Sequence, residues 1–239
     1  LTTGKTRGVQ ILVQTRPALP CLLIPAMSEP GHHHRRTAGM TADRETLDVY
    51  TEAAEAYANC FASSKDVDQS ADMAAFLALI PEGGRILDLG CGPGQWAAAF
   101  QAAGYAVEAT DATKAMADLA RERFGLEVRI EAFEALTAEA HYHGIWANFS
   151  LLHAPRTEFP GHLARLRKAL KPGGALHLGM KLGSGAARDS LGRFYTYYGE
   201  DELRRLLAEA GFTVTASRRG NGAGLAGNPE TFVTLTAHA

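Results

Sequence analysis

Ile86-Leu87-Asp88-Leu89-Gly90-Cys91-Gly92-Pro93-Gly94 is the stretch on which the reading of this chain turns. Residues 85–89 read as a short strand of buried type, and the glycines follow at once. Glycine lets the backbone turn sharply there and leaves room for a ligand against the peptide groups. Residues 95–103 read as a helix ending at Gly104, so the turn sits where the free N–H groups of a helix start face a ligand. Pro93 suits that opening, where no N–H is needed. A tight turn that merely needs glycine would look the same from the glycines alone. Asp88 before the turn and Asp111 after the next strand favour a ligand site. A dinucleotide fingerprint would need glycine at position 95, where the chain has Gln95, and no Walker-type Gly-Lys-Ser/Thr loop occurs.

Outward from this turn, helix and strand alternate. Leu47, Tyr50, Ala54, Tyr57 and Phe61 recur at helical spacing behind Thr41 or Asp43 as N-cap. A second helix is predicted over 70–80, stopping before Pro81. Further strands are predicted over 105–110, 126–130, 143–149, 175–181, 212–217 and 231–237, with helices over 113–124, 158–170 and 201–210. Strands separated by helices imply right-handed crossovers and a parallel sheet covered on both faces. The last two strands, joined by the Gly-rich segment 220–227, read as an antiparallel pair. The expected fold class is α/β: a Rossmann-like three-layer sandwich with a seven-stranded, mostly parallel sheet and an antiparallel edge hairpin.

The 239 residues are 46% apolar and 21% charged, which is ordinary for a globular chain. A formal net charge of -2 gives no global field toward nucleic acid or an acidic membrane, so neither is expected as a partner. Cys21, Cys60 and Cys91 are widely spaced and form no CxxC pair, so no disulfide framework or zinc site is read from them, and a cytoplasmic location is expected. No apolar run approaches the roughly 18 residues that span a bilayer. Residues 1–40 hold Pro17, Pro20, Pro25 and Pro30 and the run His32-His33-His34-Arg35-Arg36, without sustained periodicity. They read as a disordered N-terminal extension, the histidines as a solvated tract, and 41–239 as the domain. The apolar stretch 19–24 is too short and too broken by proline for a signal peptide. Met40 directly precedes the first helical pattern, so translation is expected to start near it, which intact-mass analysis checks.

The stretch from Ile86 to Gly94 resembles motif I of the class I S-adenosylmethionine-dependent methyltransferases, and the resemblance extends over about 41–238. Gly144-Ile145-Trp146-Ala147-Asn148-Phe149-Ser150-Leu151-Leu152-His153-Ala154-Pro155-Arg156 is similar to the fourth-strand motif of a bacterial small-molecule subgroup, loosely described as tellurite-resistance-like. Lys168-Ala169-Leu170-Lys171-Pro172-Gly173-Gly174 is similar to the family's lead into the fifth strand. The resemblance implies S-adenosyl-L-methionine as cofactor, with Gly90, Cys91, Gly92 and Gly94 against its methionyl part. Asp88 would hold the turn and the amino acid moiety. Asp111 falls where the family places a ribose-binding carboxylate; two acceptors suit a cis-diol, although Asp111 also suits a helix cap. Ala132 stands where many members carry an aspartate for adenine, which leaves Phe133 to flank that ring. Asn148 completes the implied cofactor set.

Ligands in such sheets sit at the C-terminal ends of the strands. That places Asn148, Ser150, His153, Arg156 and Lys181 near one mouth, with Arg193, Tyr195 and Tyr198 on an insertion able to close as a lid. Tyr50 and Tyr57 cover the cofactor from the other side. Tyr57, Lys181, Arg193 and Tyr195 are the expected substrate contacts, and their cations and phenols point to a small polar, anionic acceptor. His153, as an imidazole of near-neutral pKa, is the expected base. No metal ligand set is expected. The implied reaction is methyl transfer to a small-molecule acceptor by in-line displacement. The alternative is a non-catalytic module that binds S-adenosylmethionine or S-adenosylhomocysteine, which would share every loop residue. Oligomeric state is written in none of these motifs.

Overall fold

The computed structural model describes residues 43–61 and 69–239. The expected extension over 1–40, with its histidine tract, and the candidate cap Thr41 lie outside the described residues. Helix α1, Arg44–Glu52, starts at Asp43, whose Oδ2 accepts the Thr46 N–H at 2.9 Å. It ends at Ala53 and is followed directly by α2, Ala54–Phe61, so the single pattern from Leu47 to Phe61 is two helices. Helix α3 is Ser70–Leu77.

The alternation then runs as expected: β1 Arg85–Leu89, α4 Gln95–Ala102, β2 Ala106–Asp111, α5 Lys114–Phe124, β3 Val128–Ile130, a 3-10 turn Phe133–Ala135 and β4 Tyr142–Asn148. A second 3-10 turn, Leu151–His153, leads to α6 Phe159–Ala169 and β5 Leu170–Lys181. A small hairpin, β6 Ala186–Arg188 and β7 Phe194–Thr196, precedes α7 Glu200–Glu209, β8 Thr213–Ala223 and β9 Pro229–His238.

The main sheet has the order β3-β2-β1-β4-β5-β9-β8, with β9 antiparallel to both β5 and β8. This is the Rossmann-like sandwich with an antiparallel edge hairpin, joined by the separate β6–β7 pair. The edge strands run deeper into the glycine-rich connection than their pattern indicates. Gly220 stands opposite Phe232, and a Cβ on Gly220 would lie 2.2 Å from the Phe232 ring, so the missing side chain is what admits that ring.

Side chains alternate across β1 and build two cores. Leu87 and Leu89 face α6 and α7 with Ile145, Leu163, Leu166, Leu203 and Leu207. Ile86 faces the other layer with Trp146, Phe76, Ile80 and Phe100. Consecutive strands pair outward from β1 to β2 and β3, and the chain then crosses back to lay β4 on the other side of β1. The crevice at this switch point lies above the ends of β1 and β4, where α/β sheets bind ligands.

Candidate active site

The glycine turn is defined by what it excludes. Gly90 has φ 70°, and a Cβ there would lie 2.5 Å from the Ser150 Cβ beyond β4. Gly94 has φ 86° at the start of α4, and its Cβ would meet Leu126 Cδ1 at 2.7 Å and Ala120 Cβ at 2.9 Å. Both positions require glycine for conformation and for space. The turn's own N–H groups are already engaged: Gly90 and Cys91 donate to Thr110 O, Gly92 to Asp111 Oδ2 and Gly94 to Cys91 O. The loop therefore offers a ligand a close, side-chain-free surface, and those four donors serve its shape. Cys91 is buried, and burial raises its thiol pKa, so it is a neutral packing residue of the turn.

Two carboxylates organise the turn. Asp111 accepts from Gly92 N with one oxygen and from Thr113 N and Oγ1 with the other, each at 2.9 Å. It thus ties the start of α5 to the glycine loop, and the helix-start role coexists with the position expected for ribose. Asp88 is buried and its Oδ2 has no hydrogen-bond partner among the described residues; Ser150 Oγ, beside Gly90, is likewise without one. Burial, helped by the Asp111 charge, pushes the Asp88 pKa up to about 8. Unsatisfied buried polar atoms beside a turn that only glycine can form are what a polar ligand of this crevice would complete.

The roof of the crevice comes from α1, α2 and the β6–β7 hairpin. A Cβ on Gly92 would lie 3.7 Å from the Tyr57 ring, and Tyr57 stacks edge-on against Tyr50, their centroids 5.5 Å apart. Phe133 closes the opposite wall, 3.6 Å from a Cβ built on Gly90. Tyr50 Oη lies 2.8 Å from His153 Nε2, while His153 Nδ1 lies 2.6 Å from the carbonyl oxygen of Phe194. A carbonyl only accepts, so Nδ1 carries the proton, and Nε2 accepts from the Tyr50 hydroxyl. Burial, with the Arg193 and Lys181 charges, holds the His153 pKa at about 3 against the opposing bond to Phe194. The near-neutral basicity expected of His153 is thus corrected: it is a buried, neutral acceptor.

The expected substrate cations are also paired. Arg193 donates to Asp189 Oδ2 through Nε at 2.9 Å and Nη2 at 2.6 Å, and through Nη1 to Tyr50 Oη at 3.3 Å. Lys181 Nζ donates to Glu230 Oε1 at 2.6 Å and sits 3.4 Å above the Tyr195 ring. Each charge is neutralised within the fold, so the pull toward an anionic acceptor read from these cations is withdrawn. Tyr195, buried, lies 4.6 Å from His153 between ring centroids and completes an aromatic lining with Tyr50 and Tyr57. Asn148 is directed elsewhere. Its amide pairs with Gln69 through two bonds of 3.0 Å, and its Oδ1 lies 3.0 Å from His177 Nε2. Phe149, next to it, holds φ 54°, an uncommon conformation at a strand end that turns the chain toward Ser150.

Asp189, Glu230 and Gln69 escaped the sequence reading. Asp189 precedes Arg193 by four positions in a segment without helical periodicity, and Glu230 follows the glycine-rich connection, so neither carried a spacing signal. Gln69 meets Asn148 only through the fold.

A family model described as "Methyltransferase domain" matches residues 66–217. A comparison with curated protein sequences gives no match. Among solved structures, the chain is similar to 1,6-didemethyltoxoflavin-N1-methyltransferase of Burkholderia thailandensis, solved with 1,6-didemethyltoxoflavin and S-adenosylhomocysteine. That pair shares 25% identity and a TM-score of 0.64, over 85% of this chain and 92% of the other. An S-adenosylmethionine-dependent methyltransferase of Methanosarcina mazei matches at 19% identity and a TM-score of 0.62, over 72% and 98% of the two chains. The cyclase SpnF matches at 19% identity and a TM-score of 0.56, over 71% and 81%. The chain belongs to the methyltransferase-domain family, as an S-adenosylmethionine-dependent methyltransferase.

Proposed function

We propose that this enzyme methylates a small, flat, uncharged acceptor at a nitrogen or oxygen that arrives bearing a proton. The observation that carries the proposal is the hydrogen-bonded chain Phe194 O, His153, Tyr50, Arg193, set in an aromatic lining beside the glycine turn. S-adenosylmethionine supplies an electrophilic methyl group on a sulfonium, for in-line displacement by the acceptor's nucleophile. Gly90, Cys91, Gly92 and Gly94 would hold it through the bare backbone, Asp88 and Asp111 through their carboxylates, and Phe133 through its ring face.

The chain's own task is to orient the acceptor and to accept its proton. Tyr57 and Tyr195 offer ring faces to a planar molecule, and the paired state of Lys181 and Arg193 disfavours a net anion. Tyr50 Oη can take the acceptor's proton while passing its own to His153 Nε2. A base as weak as His153 suffices where methylation leaves a strongly acidic proton, as it does on an oxygen or an amide-type ring nitrogen and does not on an alkylamine. The Burkholderia protein is an N1-methyltransferase of 1,6-didemethyltoxoflavin, which supports a small-molecule acceptor with a nitrogen nucleophile here as well.

A panel of uncharged heterocycles and phenols, tested with methyl-labelled S-adenosylmethionine, checks this reading. Label should pass to at least one planar member and not to its carboxylated counterpart. Preferential transfer to carboxylates, or to protein or nucleic acid alone, would overturn it.

A further inference from the structure

We propose that Glu134, Glu158 and His162 form a binding site for a divalent transition-metal ion, away from the glycine turn and braced against the wall of the crevice. Glu134 lies in the 3-10 turn after β3, Glu158 immediately before α6 and His162 in the first turn of that helix. Glu158 and His162 are four residues apart, a spacing that stacks two side chains on one helix face. His162 Nε2 is 3.8 Å from Glu134 Oε1 and 3.9 Å from Glu158 Oε2, and one ligand atom from each of the three residues lies within 4.8 Å of the others.

His162 itself is what points to a ligand. The residue is 2% exposed, and neither ring nitrogen has a hydrogen-bond partner among the described residues. Glu158 Oε2 is buried without a partner as well. An imidazole buried this completely is destabilising unless something satisfies its ring nitrogens. A divalent ion bonded to Nε2 and to both carboxylates would do so and would cancel their charge. Two carboxylates and one imidazole suit zinc or a neighbouring first-row ion better than calcium or magnesium. Zinc bonds of about 2.0–2.2 Å require the three atoms to close in slightly, which the two glutamates, 30% and 32% exposed, can do by rotating.

The site also has a route to the crevice. The His162 ring meets Phe133 edge-on with centroids 5.6 Å apart, and Phe133 is the wall beside Gly90. An ion holding His162 and Glu134 would therefore steady the turn that carries Phe133, through Glu134 at its centre and through the His162 ring packed on Phe133 itself.

The test uses the full chain with His32, His33 and His34 each replaced by alanine, so that this tract binds no metal. After chelator treatment the protein is titrated with zinc ion by calorimetry and with cobalt ion by visible absorption. One equivalent should bind, and the melting temperature should rise with zinc. Glu134→Gln and Glu158→Gln, on side chains exposed enough to leave folding intact, should each weaken binding by at least about tenfold. Cobalt should give visible bands that both variants lose. Absence of stoichiometric binding, or binding unchanged in both variants, would overturn the proposal.

Discussion

Asp88 and Asp111 lie at the ends of adjacent parallel strands, and their difference in hydrogen bonding sets what each can do. Asp111 has three donors, while Asp88 keeps a buried oxygen without one. The unfolded chain releases the Asp88 proton near pH 3.8 and the folded chain near pH 8. Folding therefore takes up a proton between those values, and the Asp88 contribution to stability falls as pH rises through that window. Asp88→Asn, which cannot ionise, should gain melting temperature relative to the parent as pH goes from 4 to 8. A constant difference across that range would contradict the assignment. At the base, Tyr50→Phe and His153→Ala break the same chain at different atoms. Each should lower kcat by about 100-fold or more with little change in KM for the acceptor, and the double variant should lose no more than the worse single one. Additive losses would mean that the two residues do not act together. The glycine turn was legible because its residues are local and each has a steric reason. The state of His153 was not, because Tyr50 and Phe194, which fix its tautomer, come from distant segments.

Elements are held by contacts with uneven consequences. Phe76 of α3 and Ile80, just beyond that helix, pack onto β4, where a Cβ on Gly144 would be 2.3 Å from Ile80 Cδ1 and 2.6 Å from Phe76 Cζ. Gly144→Ala should therefore cost about 1–3 kcal/mol in denaturant unfolding, and a loss under about 0.5 kcal/mol would show that the helix docks less closely. Two ion pairs of the β6–β7 hairpin differ in burial. Arg188 reaches Asp43 at the start of α1 in a partly exposed pair, worth at most about 1 kcal/mol. Arg193 and Asp189 pair in the interior, with side chains 2% and 6% exposed. Asp189→Asn leaves a buried guanidinium without its carboxylate and should destabilise the protein by about 3 kcal/mol or more, again read by denaturant unfolding; Arg188→Ala should lose far less. A reversed order would mean that the α1 contact is what holds the roof. Helix periodicity and the glycine stops gave the main alternation correctly. The hairpin was missed because its strands, Ala186–Arg188 and Phe194–Thr196, are too short to show alternation, and the break at Ala53 leaves the helical pattern uninterrupted.

At the scale of the whole molecule, chain topology brings the site together. Reversing the strand order between β2 and β4 opens the crevice at β1, and the roof over it is assembled from α1–α2, the turn after β4 and the β6–β7 hairpin. That assembly was only partly legible: the strand ends were placed from the pattern, but the ion pairs that neutralise Lys181 and Arg193 join segments with no spacing signal. The fold alone does not choose the chemistry, since SpnF, a cyclase, has a similar one. The glycine turn with its two carboxylates, Asp88 and Asp111, is the cofactor site we propose. Titration calorimetry of S-adenosylhomocysteine against the parent and Asp111→Ala tests this most directly. The parent should bind one equivalent, and the variant, still folded by circular dichroism, should bind at least about tenfold more weakly, as expected for a lost charge-assisted hydrogen bond. A folded parent that binds no S-adenosylhomocysteine, or a variant that binds it as tightly as the parent, would contradict the account.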